Sequence, residues 1–202
     1  MRVTRQYITE HNYYQVIKHA QEFLEKNFKN KIVSYTFQRY NQIEVVEVEF
    51  RKNGLSHLVG LEYSGIYSKN FWIDLKKNTI DWRKIHFTND DNGGVDSETY
   101  FEMKMEALKF IDLLITEDAR ISDGCLFSNS YVDKVLRTKD DILGIGLKLV
   151  TSKTHVMTTT RLLSDAQENI KSGSAVISIS AYDKSTKETV IYYSRESIDE
   201  AS

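Results

Sequence analysis

The 202-residue chain has a single cysteine, Cys125. One thiol cannot form an internal disulfide, and zinc sites with four cysteines, or with two cysteines and two histidines, are excluded by count. Leu126 and Phe127 follow it, so we interpret Cys125 as a small buried hydrophobic residue rather than a catalytic thiol. Paired carboxylates that would suit metal chemistry are not evident either. We therefore expect no metal and no cofactor.

Long apolar runs are also missing. No segment approaches about 18 consecutive apolar residues, the length that predicts a membrane-spanning helix. The charged start of the chain is not followed by the apolar stretch of a secretory signal, so we expect a cytoplasmic protein. The chain contains no proline, and no proline-, serine- or glycine-rich linker divides it. The sequence predicts one domain over residues 1–202.

Positive charge is not in excess: 27 lysines and arginines face 29 aspartates and glutamates, a formal net charge of −2. Proteins that grip long nucleic-acid duplexes usually carry such an excess, because phosphate neutralisation supplies much of their affinity. Any nucleic-acid contact must therefore come from a local basic patch, or the substrate must be short or structured. Lys148, Lys153, Arg161 and Lys171 are candidates for such a patch, although charges spread over this span are also typical of an ordinary surface.

Apolar spacing predicts the secondary structure. Spacings of three and four predict helices over residues 10–28 and 96–117, the second of them closing a helical part over 55–117. Strict alternation predicts a hairpin over 32–50 with a turn at Tyr40-Asn41. A β-rich part is expected over 121–195 and a frayed tail over 196–202. Within the β-rich part, strands are predicted over 142–150, 156–160, 175–182 and 189–194, with a short helix over 163–170.

Four strings then occur in a fixed order along the chain. His-Leu-Val-Gly-Leu at 57–61 follows the hairpin, and Leu-Arg-Thr-Lys at 136–139 follows the long helix. Leu-Gly-Ile-Gly-Leu at 143–147 and Thr-Thr-Thr-Arg-Leu-Leu at 158–163 come next. Over roughly residues 30–195 this order resembles the phage-associated barnase, EndoU, colicin and RelE-like (BECR) nucleases, in particular their fourth phage subfamily. Relatives usually carry a Pro-Asn-Thr string where this chain has Met-Thr-Thr-Thr-Arg.

The resemblance implies a fold, an activity and partners. The implied fold class is α+β, with N-terminal helices packed on a C-terminal antiparallel sheet whose concave face holds the site. The implied activity is metal-independent RNA cleavage by a toxin or effector of a phage or mobile genetic element. The implied partners are RNA and a protein such as an antitoxin or a host defence protein.

Metal-free RNA cleavage requires a base for the 2′-hydroxyl, an acid for the leaving 5′-oxygen, and a cation for the charge on the phosphorane. His57 is the candidate acid or base, because the pKa of an imidazole lies near neutrality. An equally reasonable interpretation is a structural histidine at the turn before Gly60.

The threonines at 158–160 and Arg161 are the second group of candidates. Arg161 would clamp a phosphate, because a guanidinium matches two phosphate oxygens, and Thr160 or Thr159 would position it. An ordinary edge strand with a capping arginine is the alternative. We predict a catalytic set and a substrate-binding set. The catalytic set is His57, Thr160 and Arg161, and the binding set is Thr159, His155, Ser178 and Tyr192.

Two functions therefore compete at this stage. One is a metal-independent ribonuclease. The other is an inactive protein of the same fold that binds a protein as an anti-defence or regulatory module. The mild acidity and the missing Pro-Asn-Thr string favour the second function, whereas the string at 57–61 favours the first.

Overall fold

The computed structural model describes residues 4–63, 69–88, 96–127, 130–140, 142–163 and 172–195. Five α-helices occur among them: α1 (Arg5–Glu10), α2 (Tyr13–Asn27), α3 (Leu55–Val59), α4 (Lys69–Lys77) and α5 (Ser97–Leu108). Short 3₁₀ turns cover Lys52–Gly54, Trp82–Lys84 and Ile111–Ile115. Most of the helix predicted over 163–170 and the tail predicted from 196 lie outside the described residues.

The described residues also form ten strands. They are β1 (Lys31–Arg39), β2 (Gln42–Glu49), β3 (Leu61–Tyr63), β4 (Ile85–Phe87), β5 (Ala119–Phe127), β6 (Ser130–Thr138), β7 (Leu143–Leu149), β8 (Thr154–Leu162), β9 (Ser174–Asp183) and β10 (Thr189–Ser194). β3 and β4 pair with each other in a separate two-stranded sheet. The other eight strands form one sheet in the order β1-β2-β8-β7-β6-β5-β9-β10.

This large sheet closes on itself. β1 pairs with β9 from Lys31↔Asp183 to Phe37↔Val176, in addition to its hairpin partner β2. Seven strands thereby form a closed barrel, and β10 extends it as an eighth strand on β9. The predicted arrangement of N-terminal helices packed on a C-terminal antiparallel sheet is therefore wrong. The N-terminal hairpin is part of the same sheet as the C-terminal strands, and its pairing with β9 and β8 converts an open sheet into a ring.

The junction between β2 and β8 is short and parallel. Their pairing covers only Glu47↔Thr154 to Glu49↔Val156, and every other neighbouring pair in the ring is antiparallel. From Met157 onward, α3 and α5 pack along β8 instead of a strand. This change of partner places two helices next to the strand that carries the predicted threonines and arginine.

A single large core joins the strands and the helices. Val33, Tyr35 and Phe37 alternate along β1 and are fully buried. Phe101 and Met105 of α5 are also fully buried and belong to the same core. The amphipathic spacing of most elements thus points at one shared interior, as expected when helices and a curved sheet bury their apolar faces together. A second, small cluster consists of Val132, Val135 and Leu163.

Local predictions fared better than the overall arrangement. The hairpin is present, and Tyr40 and Asn41 have positive φ angles of 46° and 62°, as a two-residue turn with the hairpin twist requires. The helix predicted over 96–117 is too long, since α5 ends at Leu108 and a 3₁₀ turn follows. Residues 85–87, predicted as helical, form β4, and the strands β5 and β6 were not delimited by the spacing pattern.

Among the described residues, no helix is both long enough and apolar enough to cross a membrane.

Candidate active site

The string at 57–61 ends a short helix and turns the chain. Gly60 follows α3 with a left-handed φ of 74°, and its N–H donates to the carbonyl oxygen of His57 at 3.2 Å. Leu58 and Leu61 are buried in the core, whereas the side chain of His57 is exposed. The apolar members of the string therefore anchor it, and the histidine remains available to a ligand.

A buried lysine lies against this turn. Lys104 of α5 is only 3% exposed, and its Nζ donates to the carbonyl oxygen of His57 at 2.9 Å. Its side chain passes directly over Gly60, where an added Cβ would lie 2.9 Å from the lysine Cδ. Glycine at position 60 thus supplies both the left-handed backbone and the space through which Lys104 reaches the turn.

Lys104 also connects the turn to β8. Its Nζ donates to the hydroxyl of Thr159 at 3.4 Å and lies 4.7 Å from the centre of the Tyr100 ring. A buried ammonium requires such partners, because removing a charge from water is costly unless carbonyls, hydroxyls or aromatic faces replace the lost solvation.

Arg161 lies near the same aromatic residue. Its guanidinium carbon is 5.9 Å from the centre of the Tyr100 ring. Two cationic side chains, Lys104 and Arg161, therefore share one tyrosine next to the exposed His57. We call the group formed by His57, Tyr100, Lys104, Thr159 and Arg161 the lysine cluster.

The register of β8 separates the three threonines. Thr159 pairs with Gly146 and Arg161 pairs with Gly144, so these two side chains share a face of the strand. Thr160 points to the opposite face, where it pairs with fully buried Ile145. Its hydroxyl is buried, and it has no hydrogen-bond partner in the described part of the chain.

Thr158 lies at an irregularity in the β7–β8 pairing, and its hydroxyl donates to the carbonyl oxygen of Gly146 at 3.0 Å. Through Lys104 and Tyr100, the structure brings Thr159 and Arg161 together with the main-chain carbonyl of His57. It places Thr158 and Thr160 in other surroundings.

The remaining predicted binding residues are dispersed. His155 is 7% exposed and pairs with Val48 at the start of β8, six residues and roughly 20 Å from Arg161 along the strand. In the described structure its buried Nδ1 has no hydrogen-bond partner.

Ser178 and Tyr192 lie further away around the ring. Ser178 on β9 pairs with Thr36 of β1, and β1 and β2 separate β9 from β8. The hydroxyl of Tyr192 donates to the carbonyl oxygen of Asn27 at 3.1 Å, against α2. The structure does not bring these two residues to the lysine cluster, and their binding roles stay predictions.

The sequence contains a signal for Lys104, although Lys104 is not among the predicted site residues. The apolar stripe of α5 includes Phe101, Met105 and Leu108, and Lys104 lies three residues after the first and four before the last. A lysine on that stripe must be buried, and buried lysines are uncommon unless they have partners. Tyr100, four residues earlier on the same helix, had no comparable signal.

In the described ranges, no group of three or more histidine, cysteine, aspartate and glutamate side chains lies close enough together to hold a metal ion.

Comparisons with known proteins bear on this geometry. Neither the curated proteins nor the solved structures gave a match. A family model described as phage-Barnase-EndoU-ColicinE5/D-RelE like nuclease4 matches residues 16–198. The match covers the hairpin, the turn at 57–61, α5 and the barrel strands, and it confirms the resemblance carried by the four strings. The chain therefore belongs to this phage-associated family of nuclease-like proteins.

Proposed function

We propose that the chain is a metal-independent endoribonuclease whose active site is the lysine cluster. The observation that carries the proposal is the position of Lys104, a buried cation that contacts both the turn of His57 and the hydroxyl of Thr159. A protein that buries a lysine beside an exposed histidine and an arginine has gathered a proton-transfer group and two positive charges.

The proposed reaction needs no group from outside the chain. The 2′-oxygen of the RNA attacks the adjacent phosphorus as its proton leaves, and the bond to the 5′-oxygen breaks as that oxygen gains a proton. The products are a 2′,3′-cyclic phosphate and a free 5′-hydroxyl. His57 serves as acid or base in these proton transfers, since its imidazole is exposed to solvent and can accept or donate a proton.

The two cations would act on the phosphate. Negative charge accumulates on the non-bridging oxygens in the transition state, and fixed positive groups stabilise it without reorganisation. Arg161 offers a planar fork for two oxygens, while Lys104 is held in place by the carbonyl of His57 and the ring of Tyr100. Thr159 shares a strand face with Arg161, so its hydroxyl is placed to orient the same phosphate.

The biological setting we propose follows from the phage association of the family. An RNA-cleaving enzyme of this kind would act as a toxin or effector of a phage or mobile genetic element, with RNA as its substrate.

The decisive experiment is cleavage of total RNA in EDTA by wild type and by His57→Ala. We expect wild type to cut and His57→Ala to be slower by about 10²-fold or more, the contribution typical of a positioned acid or base. His19→Ala is the matched control, because His19 is an exposed histidine of α2 that pairs with Asp112.

The RNA ends identify the chemistry. A 2′,3′-cyclic phosphate at the new end is expected, and a 3′-hydroxyl would contradict the proposed reaction. If wild type leaves RNA intact even when ribosomes or cell extract are present, the ribonuclease proposal fails and the protein-binding function takes its place.

A further inference from the structure

Three arginines are aligned across the strands that adjoin the lysine cluster. Arg120 of β5 pairs with Arg137 of β6, Arg137 pairs with Gly144 of β7, and Gly144 pairs with Arg161 of β8. Directly paired residues of antiparallel strands point to the same face. The four positions therefore form one lateral row on the face that carries Arg161, and we call it the arginine row.

The row connects two places. Neighbouring strands lie about 4.8 Å apart, so three intervals span about 14 Å, longer than a single phosphate. One end is Arg161 in the lysine cluster. The other end is a cleft of about 240 Å³ beside Arg120, to which Lys139, Tyr193 and Arg195 also contribute. A path of this length matches a chain of linked nucleotides.

We infer that the two accessible ends of the arginine row bind single-stranded RNA on one side of the scissile phosphate. Arg161 is one end, and the cleft of Arg120, Lys139 and Arg195 is the other. We call these two ends together the binding track. This inference rests on the proposed function for the position of the scissile phosphate, and it assigns a role to residues outside the lysine cluster.

The cleft has the composition of a single-strand site. Such sites combine cations that follow the backbone with an aromatic ring on which a base can stack. Lys139 and Arg195 are exposed, and Tyr193 is partly buried against the core, which fixes its ring. Glu117 and Asp118 also line the cleft and oppose an anion, so three cations face two carboxylates.

In the part of the chain that the structure describes, main-chain carbonyl oxygens orient Arg120. Its Nη1 donates to the carbonyl oxygens of Glu117 at 2.6 Å and Ala119 at 2.8 Å. Carbonyl contacts fix the guanidinium without cancelling its charge, which leaves that charge available to a phosphate.

Arg137 acts on a bound phosphate through its electrostatic field rather than by contact. It is 3% exposed, and burial together with the neighbouring charge of Arg120 lowers its pKa from the ordinary arginine value. Like charges on directly opposed residues are destabilising, and an anion beside Arg120 reduces that repulsion. Leu163 covers Gly144, where an added Cβ would lie 2.6 Å from its Cδ2, so the middle of the row is apolar.

The test separates binding from cleavage. Affinity is measured by fluorescence anisotropy with a labelled, uncleavable 2′-O-methyl RNA of about twelve nucleotides, a length within the range of single-strand sites. The variants are Lys139→Gln and the double variant Arg120→Gln/Arg195→Gln. Lys187→Gln is the control, an exposed lysine beyond the far end of β9, where Asp183 lies roughly 26 Å from Ala175, the partner of Arg120.

We expect the double variant to weaken binding by about tenfold and to lower the salt dependence by about 0.7 per lost phosphate contact. Lys139→Gln weakens it by a smaller factor, and Lys187→Gln leaves it unchanged. With long RNA as substrate, kcat/KM falls in the double variant, whereas Lys187→Gln leaves it unchanged.

The outcomes distinguish the two proposals. Wild type that does not bind the oligonucleotide, or variants that bind as tightly as wild type, overturn the binding track even if RNA is cleaved. Weakened binding in the variants supports the track, and if wild type then cleaves no RNA, the proposed function fails while the track stands.

Discussion

The ammonium of Lys104 lies 2.9 Å from the main-chain carbonyl oxygen of His57, in the gap that Gly60 leaves open. This contact gives the string at 57–61 a physical meaning. The leucines anchor the turn, the glycine makes space for a lysine from another helix, and the side chain of the histidine remains exposed. The turn at 57–61 therefore binds the buried ammonium of Lys104, which is 47 residues after His57 in the sequence.

Gly60→Ala is expected to destabilise the fold and displace Lys104. Alanine at a φ of 74° carries backbone strain of about 1–3 kcal/mol, and its methyl group would lie 2.9 Å from the lysine Cδ. We expect a lower free energy of unfolding in urea and slower RNA cleavage. Gly54→Ala is the control, because its φ is −80° and the nearest atom is 3.6 Å from an added Cβ. Equal stability of the two variants would contradict this account of Gly60.

Local features of the fold could be predicted, because adjacent residues determine them. The hairpin turn at Tyr40-Asn41 is one such feature. The length of α5 was overestimated, since Ile111 and Leu114 continue its apolar spacing although the backbone changes at Phe110. Spacing records which residues are buried, and a helix followed by a 3₁₀ turn buries nearly the same positions as one long helix.

The closed barrel and the site depend on distant pairings that spacing does not contain. Val33 pairs with Ala181, 148 positions later, and the residue pattern of neither strand identifies the other as its partner. Thr159 and Thr160 lie on opposite faces of β8 because side chains alternate along a strand, and a predicted strand implies this alternation. Which face of β8 contacts Lys104 depends on how α5 packs against β8. The site therefore depends on long-range packing, which apolar spacing does not reveal.

Lys104→Met is expected to remove activity while the protein remains folded. Methionine has nearly the length of lysine and fills the same space. The carbonyl oxygen of His57 and the hydroxyl of Thr159 lose a donor, which costs about 1–3 kcal/mol of stability. Loss of a positioned cation from the transition state typically slows a reaction by about 10²–10³-fold. Lys109→Met is the control, an exposed lysine beyond α5 that pairs with Glu106. A folded Lys104→Met protein with wild-type cleavage would exclude a role for the ammonium.

Asp123 is expected to make stability depend on pH. Its carboxylate accepts hydrogen bonds from Arg39 and, at 3.3 Å, from Lys134, and these contacts lower its pKa to about 2. An unfolded aspartate has a pKa of about 3.9, so the stabilisation is complete above pH 4 and is lost as the pH falls towards 2. The side chain of Asp123 is 37% exposed, so solvent screening limits the stabilisation that the ion pair provides.

Urea unfolding checks this relation. Asp123→Asn is expected to be less stable than wild type at pH 7, with a difference that shrinks as the pH falls from about 4 to about 2. Asp140→Asn, at an exposed position after β6, is the control and should follow wild type at each pH. A difference between Asp123→Asn and wild type that does not change with pH would show that the ion pair is not its source.

Thr160→Val and Thr159→Val are expected to have opposite consequences, because their hydroxyls lie on opposite faces of β8. The hydroxyl of Thr160 is buried without a partner in the described structure, and an unsatisfied buried hydroxyl costs about 1–3 kcal/mol. Valine keeps the shape and removes that cost. Thr160→Val should therefore cleave RNA normally and melt higher by about 2–4 °C for each kcal/mol gained. Thr159→Val removes one of the acceptors of Lys104 and should slow cleavage by about tenfold, which corresponds to about 1.4 kcal/mol. If Thr160→Val were the slower enzyme, the phosphate would have to bind on the other face of β8, and the lysine cluster would not be the active site.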